Sequence, residues 1–93
     1  MALGHAALIE DRFDDALSFF DRAINLNPQV GFMHANRAIA LALAGRATEA
    51  GPSVAKTLEV DPSFRFGLVI PMIRNPDFAE KWGRGARLAG LPE

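Results

Sequence analysis

The chain has no cysteine, which removes disulfides and thiolate metal sites and fits the cytoplasmic location expected here. No apolar run approaches the roughly 20 residues that cross a bilayer, so no membrane partner is expected. The N-terminus has no basic stretch ahead of an apolar one, and a secretory signal is not expected either. There is no HExxH motif and no glycine-rich phosphate loop, the short signatures that would announce zinc or nucleotide chemistry. The net charge is only −1 and gives no general pull toward nucleic acid or anionic lipid. What remains is an ordinary globular composition, 49% apolar and 23% charged, in one small domain that buries only about 60–65% of its unfolded surface. The charge is uneven. Residues 1–27 carry five acids and two bases, residues 63–93 five bases and three acids, a polarity expected to reflect solvated helix faces.

The stretch Phe13 to Pro28, FDDALSFFDRAINLNP, recurs in phase as Ala47 to Pro62, ATEAGPSVAKTLEVDP. Ala16 aligns with Ala50, Phe20 with Val54, Ile24 with Leu58, Leu26 with Val60 and Pro28 with Pro62, each offset being 34 residues. A fixed period of this size signals stacked helix pairs. The order of small residue, large apolar residue and closing Asn/Asp-Pro resembles the second helix of a tetratricopeptide (TPR) repeat. Leu3-Gly4-x-x-Ala7 falls where the first helix of that pattern expects Leu-Gly-x-x-Tyr, and Ala38 and Leu41 take the corresponding places in the next repeat. The pattern's opening aromatic would lie before Met1, so the chain is expected to be a fragment of a longer array.

In chain order, Met1 to Glu10 reads as a short helix with Leu3, Ala6, Ala7 and Ile9 as its candidate inward residues. Helix two starts near Phe13, with Ala16, Leu17, Phe20, Ala23 and Ile24 forming one apolar stripe and Asp14 and Asp15 matched to the helix dipole. Pro28 stops it, and Phe19, off the stripe, is expected to pack on the adjacent helix. Helix three runs from about Gln29 or Val30 to Ala44, stopped by Gly45. His34 stands where the repeat has Trp, and Arg37 where it has Leu, so Arg37 is expected to reach an acid or an exposed flank. Helix four, about Ala47 to Val60, contains Gly51-Pro52 and is expected to be kinked. Phe66 to Ile73 gives a short apolar helix interrupted by Pro71. Asn75-Pro76-Asp77 opens a last helix to about Ala89, with Phe78, Trp82, Ala86 and Ala89 inward. Asp77–Lys81 and Glu80–Arg84 are spaced as i,i+4 pairs, and Gly83 and Gly85 would let another backbone come close. Gly90 and Pro92 end it.

Asn75-Pro76-Asp77, Trp82 and the terminal Arg87-Leu88-Ala89-Gly90-Leu91-Pro92-Glu93 resemble the end of certain bacterial proteins. These are adenylate/guanylate cyclase-like and winged-helix regulatory proteins that carry a TPR array at the C-terminus. The resemblance implies a signalling parent whose catalytic or DNA-binding part lies upstream; nothing in this chain corresponds to that part.

No catalytic residue, metal ligand or cofactor is expected. His5 and His34 fall on first helices of successive repeats without converging ligands. Glu10, Asp11, Asp14 and Asp15 lack the spacing and glycine of a calcium loop. Arg74, Lys81, Arg84 and Arg87 are diluted by neighbouring acids, which leaves nucleic-acid binding a remote alternative.

The expectation is therefore an all-α, right-handed antiparallel helix-pair array, a TPR-like α-solenoid with a C-terminal capping helix. It comprises repeat one (1–28), repeat two (29–62) and a capping segment (63–93). First helices line the concave face of such arrays. The TPR resemblance places His5, Leu8 and Ile9, then Phe32, Ala35, Asn36, Ile39 and Leu43, then Phe66, Val69 and Ile73 in that groove. Only Asn36 suits a carboxylate clamp, so the groove is expected to take an apolar or helical segment of a partner protein. The alternative is a structural cap or homodimerisation unit, with the groove filled by the last helix or by a second copy. On the first reading Ile39→Asp removes binding and spares the fold.

Overall fold

A computed structural model describes residues 2–93, with the side chains of Ala2 and Leu3 left aside; the inward placement expected for Leu3 lies outside the described residues. The six α-helices are α1 (Ala2–Ile9), α2 (Phe13–Leu26), α3 (Gly31–Leu43), α4 (Gly51–Val60), α5 (Phe66–Val69) and α6 (Pro76–Ala89). Short 3-10 turns cover Ala47–Glu49 and Ile70–Met72, and no strand occurs among the described residues. The chain is a TPR-like array of helix pairs closed by α6.

The 34-residue period governs backbone hydrogen bonds as well as side chains. After α1, Arg12 N–H donates to Ala7 O at 2.8 Å and Asp11 N–H to Leu8 O at 3.2 Å. After α3, Arg46 N–H donates to Leu41 O at 2.8 Å and Gly45 N–H to Ala42 O at 3.1 Å. These are paired 6→1 and 5→2 closures, which satisfy carbonyls left over at a helix end and need a left-handed residue. Asp11 supplies φ 60° in one repeat and Gly45 φ 81° in the next. The second helices also end alike. Asn27 N–H returns to Ala23 O at 3.0 Å and Asp61 N–H to Thr57 O at 2.8 Å. The side chains of Asn27 and Asp61 then accept the amides of Gln29 and Ser63 at 3.1 and 3.2 Å, as Asx turns do. A Cβ at Gly45 meets nothing within 4 Å, so Gly45→Ala tests backbone strain alone. It should lower the unfolding free energy by about 1–2 kcal/mol, read as a smaller urea midpoint with an unchanged slope.

Helix α3 is the hub. Ten of its 13 residues are buried, and it packs on α2, α4 and α6. Its two departures from the repeat pattern are satisfied. His34 is buried with Nε2 2.9 Å from Pro28 O. Arg37 donates from Nε to Asp21 at 2.7 Å and from Nη1 to Ser53 Oγ at 2.8 Å, the acidic partner its position required.

Two local expectations are corrected. The expected kink in helix four is a division: Ala47–Glu49 form a 3-10 turn and α4 begins at Gly51. Pro52 thereby falls in the first turn, where its missing N–H leaves no intrahelical bond unmade. Lys81 does not pair with Asp77. Its ammonium reaches across to α1, donating to Leu8 O at 3.1 Å, to Ile9 O at 3.2 Å and to the Asp11 carboxylate. The end of α1 offers two carbonyl oxygens with acceptor capacity to spare and a carboxylate together, more than one exposed i,i+4 partner provides. The Glu80–Arg84 pair does form, at 3.4 Å.

Helix α6 starts as its sequence requires. The Asn75 side chain accepts the amides of Asp77 and Phe78 at 2.9 and 3.1 Å, and Pro76 occupies the first turn. Gly90 closes the helix at φ 91°. The tail then turns back, so that the carbonyls of Pro92 and Glu93 receive the amides of Phe66 and Gly67 at 3.0 and 3.1 Å. The first N–H groups of the four-residue α5 are thus capped by the chain's own last residues.

Candidate functional site

The residues expected to line one groove divide into two sets. Leu8, Ala35, Asn36, Ile39 and Phe66 are buried, and Leu43 is half-buried. They do not form an open surface, because α6 lies over the α3 part of this set. A Cβ at Gly85 would stand 2.8 Å from Ile39 Cγ2 and 2.9 Å from Leu43 Cγ. Only a residue without a side chain lets α6 come this close to α3. Three residues earlier, the Trp82 indole N–H donates to Asn36 Oδ1 at 2.9 Å. Asn36, the one residue suited to a carboxylate clamp, is fully buried and committed to Trp82.

The second set, His5, Ile9, Phe32, Val69 and Ile73, surrounds an open cavity of about 530 Å³. Five residues that sequence reasoning left out of the groove complete its wall: Met72, Arg74, Asn75, Phe78 and Trp82. The sequence had assigned Phe78 and Trp82 to the inner face of the last helix. They have that role, and their rings also floor the cavity from the α6 side. Met72 and Arg74 were missed because Pro71 ends α5 and drives a 3-10 turn over Ile70–Met72, which changes which side chains face the groove. The proline was the available signal. The lining is mostly apolar, with His5, Arg74 and Asn75 as its polar members, and two of its large apolar side chains are also solvent-exposed, Ile9 at 48% and Met72 at 78%. A cavity of this size and character matches the usual range for ligand and anchor pockets, about 300–1,000 Å³.

At the base of the cavity, polar groups sit among rings. His5 is surrounded by Phe78, Phe32 and Phe20, with ring centroids at 5.4, 6.1 and 6.4 Å. Its Nε2 and the Asn36 Nδ2 are the buried side-chain polar atoms left without a hydrogen-bond partner among the described residues. Burial lowers the His5 pKa below its ordinary 6.5; the nearby Asn36 amide offsets part of that drop without completing a well-formed hydrogen bond. Native His5 is therefore neutral where the unfolded chain's histidine is still binding protons. The unfolded state gains protons first as pH falls through 6.5, so stability contributed by neutral His5 is full above that value and is lost below it. The melting temperature of the wild-type chain should fall as pH drops below 6.5, and His5→Phe should remove part of that decline. A His5→Phe profile that overlays the wild-type profile would contradict this.

No group of three or more His, Cys, Asp or Glu side chains converges as a metal cage among the described residues. No described helix is long and apolar enough to cross a membrane.

No family model matches the chain, and no solved structure matches it significantly. Among curated proteins, the TPR repeat-containing thioredoxin TTL4 of Arabidopsis thaliana is 36% identical to it over 61 residues. The match covers 66% of this chain and 9% of that protein, so the chain spans a small part of the relative's length. Together with the helical array, it supports a TPR-like domain and, in general terms, a protein-interaction module. The thioredoxin in the relative's name does not transfer, because thiol–disulfide exchange requires cysteine and this chain has none.

Proposed function

We propose that this chain is a non-catalytic protein-interaction module that seats an apolar, helical segment of a partner in the cavity bounded by α1, α3, the Ile70–Met72 turn and α6. The observation that carries the reading is the cavity itself: about 530 Å³, walled by Phe32, Val69, Ile73, Phe78 and Trp82, with Ile9 and Met72 exposed at its edge. Isolated exposed apolar residues are normal on soluble proteins, whereas a contiguous apolar concavity marks a contact site. Methionine at such an edge suits it, because an unbranched, polarisable side chain adapts to the shape of what docks. An amphipathic helix entering by two or three apolar anchors gains about 1.5–3 kcal/mol for each large side chain it fully buries. The groove anticipated from the repeat pattern is retained in reduced form as the half not covered by α6. The tail residues Asn75-Pro76-Asp77 and Arg87 to Glu93 further support placing the module at the C-terminal end of a bacterial cyclase-like signalling protein in the cytoplasm.

The test uses helical peptides selected for binding to the full chain from a displayed library. Met72→Asp puts a charge at the cavity's edge on a residue 78% exposed, so the melting temperature should stay within about 2 °C of wild type, as for surface substitutions generally. Peptide affinity should fall at least tenfold. Undiminished affinity would place the contact surface elsewhere.

A further inference from the structure

We propose that the helix received by this cavity carries a side-chain carboxylate beside its apolar anchors, and that Arg74 is the residue that receives it. This inference rests on the reading that the cavity takes a helical partner segment, and it specifies the chemistry of that partner.

Of the ten side chains that line the cavity, only Arg74 carries a permanent charge, and no carboxylate is among them. Arg74 is exposed and makes no ion pair with any described residue. Two neighbouring polar side chains are already engaged. Asn75 spends its side-chain oxygen on the amides of Asp77 and Phe78. Lys81 is held by Asp11 and by the carbonyls of Leu8 and Ile9. Asp77 and Glu80 line an adjoining depression that shares Ile9, Asn75 and Phe78 with the cavity but are not in the cavity's own lining; Glu80 is paired with Arg84, and Asp77 makes no ion pair with any described residue.

The lining therefore presents one cation, without an ion-pair partner among the described residues, against a largely apolar wall. A guanidinium offers a planar fork of donors that fits a carboxylate with two parallel hydrogen bonds. The apolar wall excludes water from one side of such a pair, which strengthens it relative to a fully solvated one. A lysine on the incoming helix would meet Arg74 as a like charge, and that repulsion is how rim charges select among otherwise similar helices.

The experiment displays 15-residue helices with leucine fixed at three positions one turn apart and all other positions randomised, selected on the full chain. Winners are resynthesised and titrated against wild-type and Arg74→Glu chains, with the fluorescence of Trp82 in the cavity wall as the readout. The expected result is enrichment of Asp or Glu at one position flanking the leucines. Changing that acid to Lys should weaken binding about tenfold at low salt and less at physiological salt, since screening shortens the reach of rim charges. Arg74→Glu should reverse the order, and Arg74→Gln should remove the preference without reversing it. Unchanged melting temperatures in both variants establish that the fold is intact.

Helices that bind at the cavity with no acidic preference, or that ignore Arg74→Glu, overturn the inference and leave the cavity reading standing. If no helix is enriched, or if binding survives Met72→Asp, the cavity reading fails and the inference with it. Saturable quenching of Trp82 by decanoate, in a chain that selects no helix, would assign the cavity to a small apolar acid and overturn both.

Discussion

Trp82→Ala should lower the unfolding free energy by about 3–5 kcal/mol, the usual cost of truncating a buried aromatic to alanine. Trp82 is the only tryptophan and is 1% exposed. It packs obliquely on Phe32 at a centroid distance of 6.1 Å and donates its indole N–H to Asn36 at 2.9 Å. Its removal empties the α3–α6 seam and leaves the Asn36 oxygen buried without its donor, a further penalty of about 1–3 kcal/mol where water cannot reach it. Domains of this size hold about 5–15 kcal/mol in total, so the variant should be largely unfolded at modest urea concentration. The check is urea denaturation followed by far-ultraviolet circular dichroism. A midpoint within error of wild type would mean that α6 does not seal the array.

Ile39→Asp should be at least as damaging. The repeat pattern placed Ile39 on a free concave surface, where an aspartate would abolish binding and spare the fold. The structure gives it no exposed surface at all, because Gly85 brings α6 against it. A carboxylate there loses the methyl packing and is held out of water, and an uncompensated buried charge costs about 3–5 kcal/mol. Ile39→Val, which removes one methylene, should cost only about 0.5–1.5 kcal/mol. The pair separates burial of charge from loss of volume. An Ile39→Asp chain with wild-type helix content and melting temperature would restore Ile39 to an open surface and remove α6 from its position.

Much of this architecture is legible in the sequence because local rules and the repeat agree. Ala16 and Ala50, both fully buried, sit at the close approaches that the 34-residue offset demands. Asn75, Pro76 and Gly90 act as cap, first-turn residue and left-handed stop, each for a reason intrinsic to its side chain or to the lack of one. Arg37 announced its need for an acid, and Asp21 meets it.

The sequence left the placement of α6 relative to α3 open between a free groove and one filled by the last helix. The repeat pattern describes neighbours in sequence, whereas the packing of α6 on α3 brings together residues more than 40 positions apart, as in Trp82 with Asn36. Gly85 was recognisable as a site of close backbone approach; the residue it approaches was not. The same gap explains Lys81. Its spacing from Asp77 fits a helical pair, and only the tertiary fold offers it the end of α1. The cavity combines residues from both sides of the capping segment, so its Arg74 and Met72 could be recognised only once Pro71 had set the turn.

Helix α6 covers the floor of the concave face and leaves an apolar cavity beside it. Isotope-edited nuclear Overhauser spectroscopy on the full chain tests this most directly. Cross-peaks are expected from the Ile39 Cγ2 methyl to the Gly85 α-protons and from the Trp82 indole proton to the Asn36 side-chain amide. Their absence, with strong cross-peaks from Ile39 to water and Trp82 emission at the wavelength of a solvated indole, would contradict it.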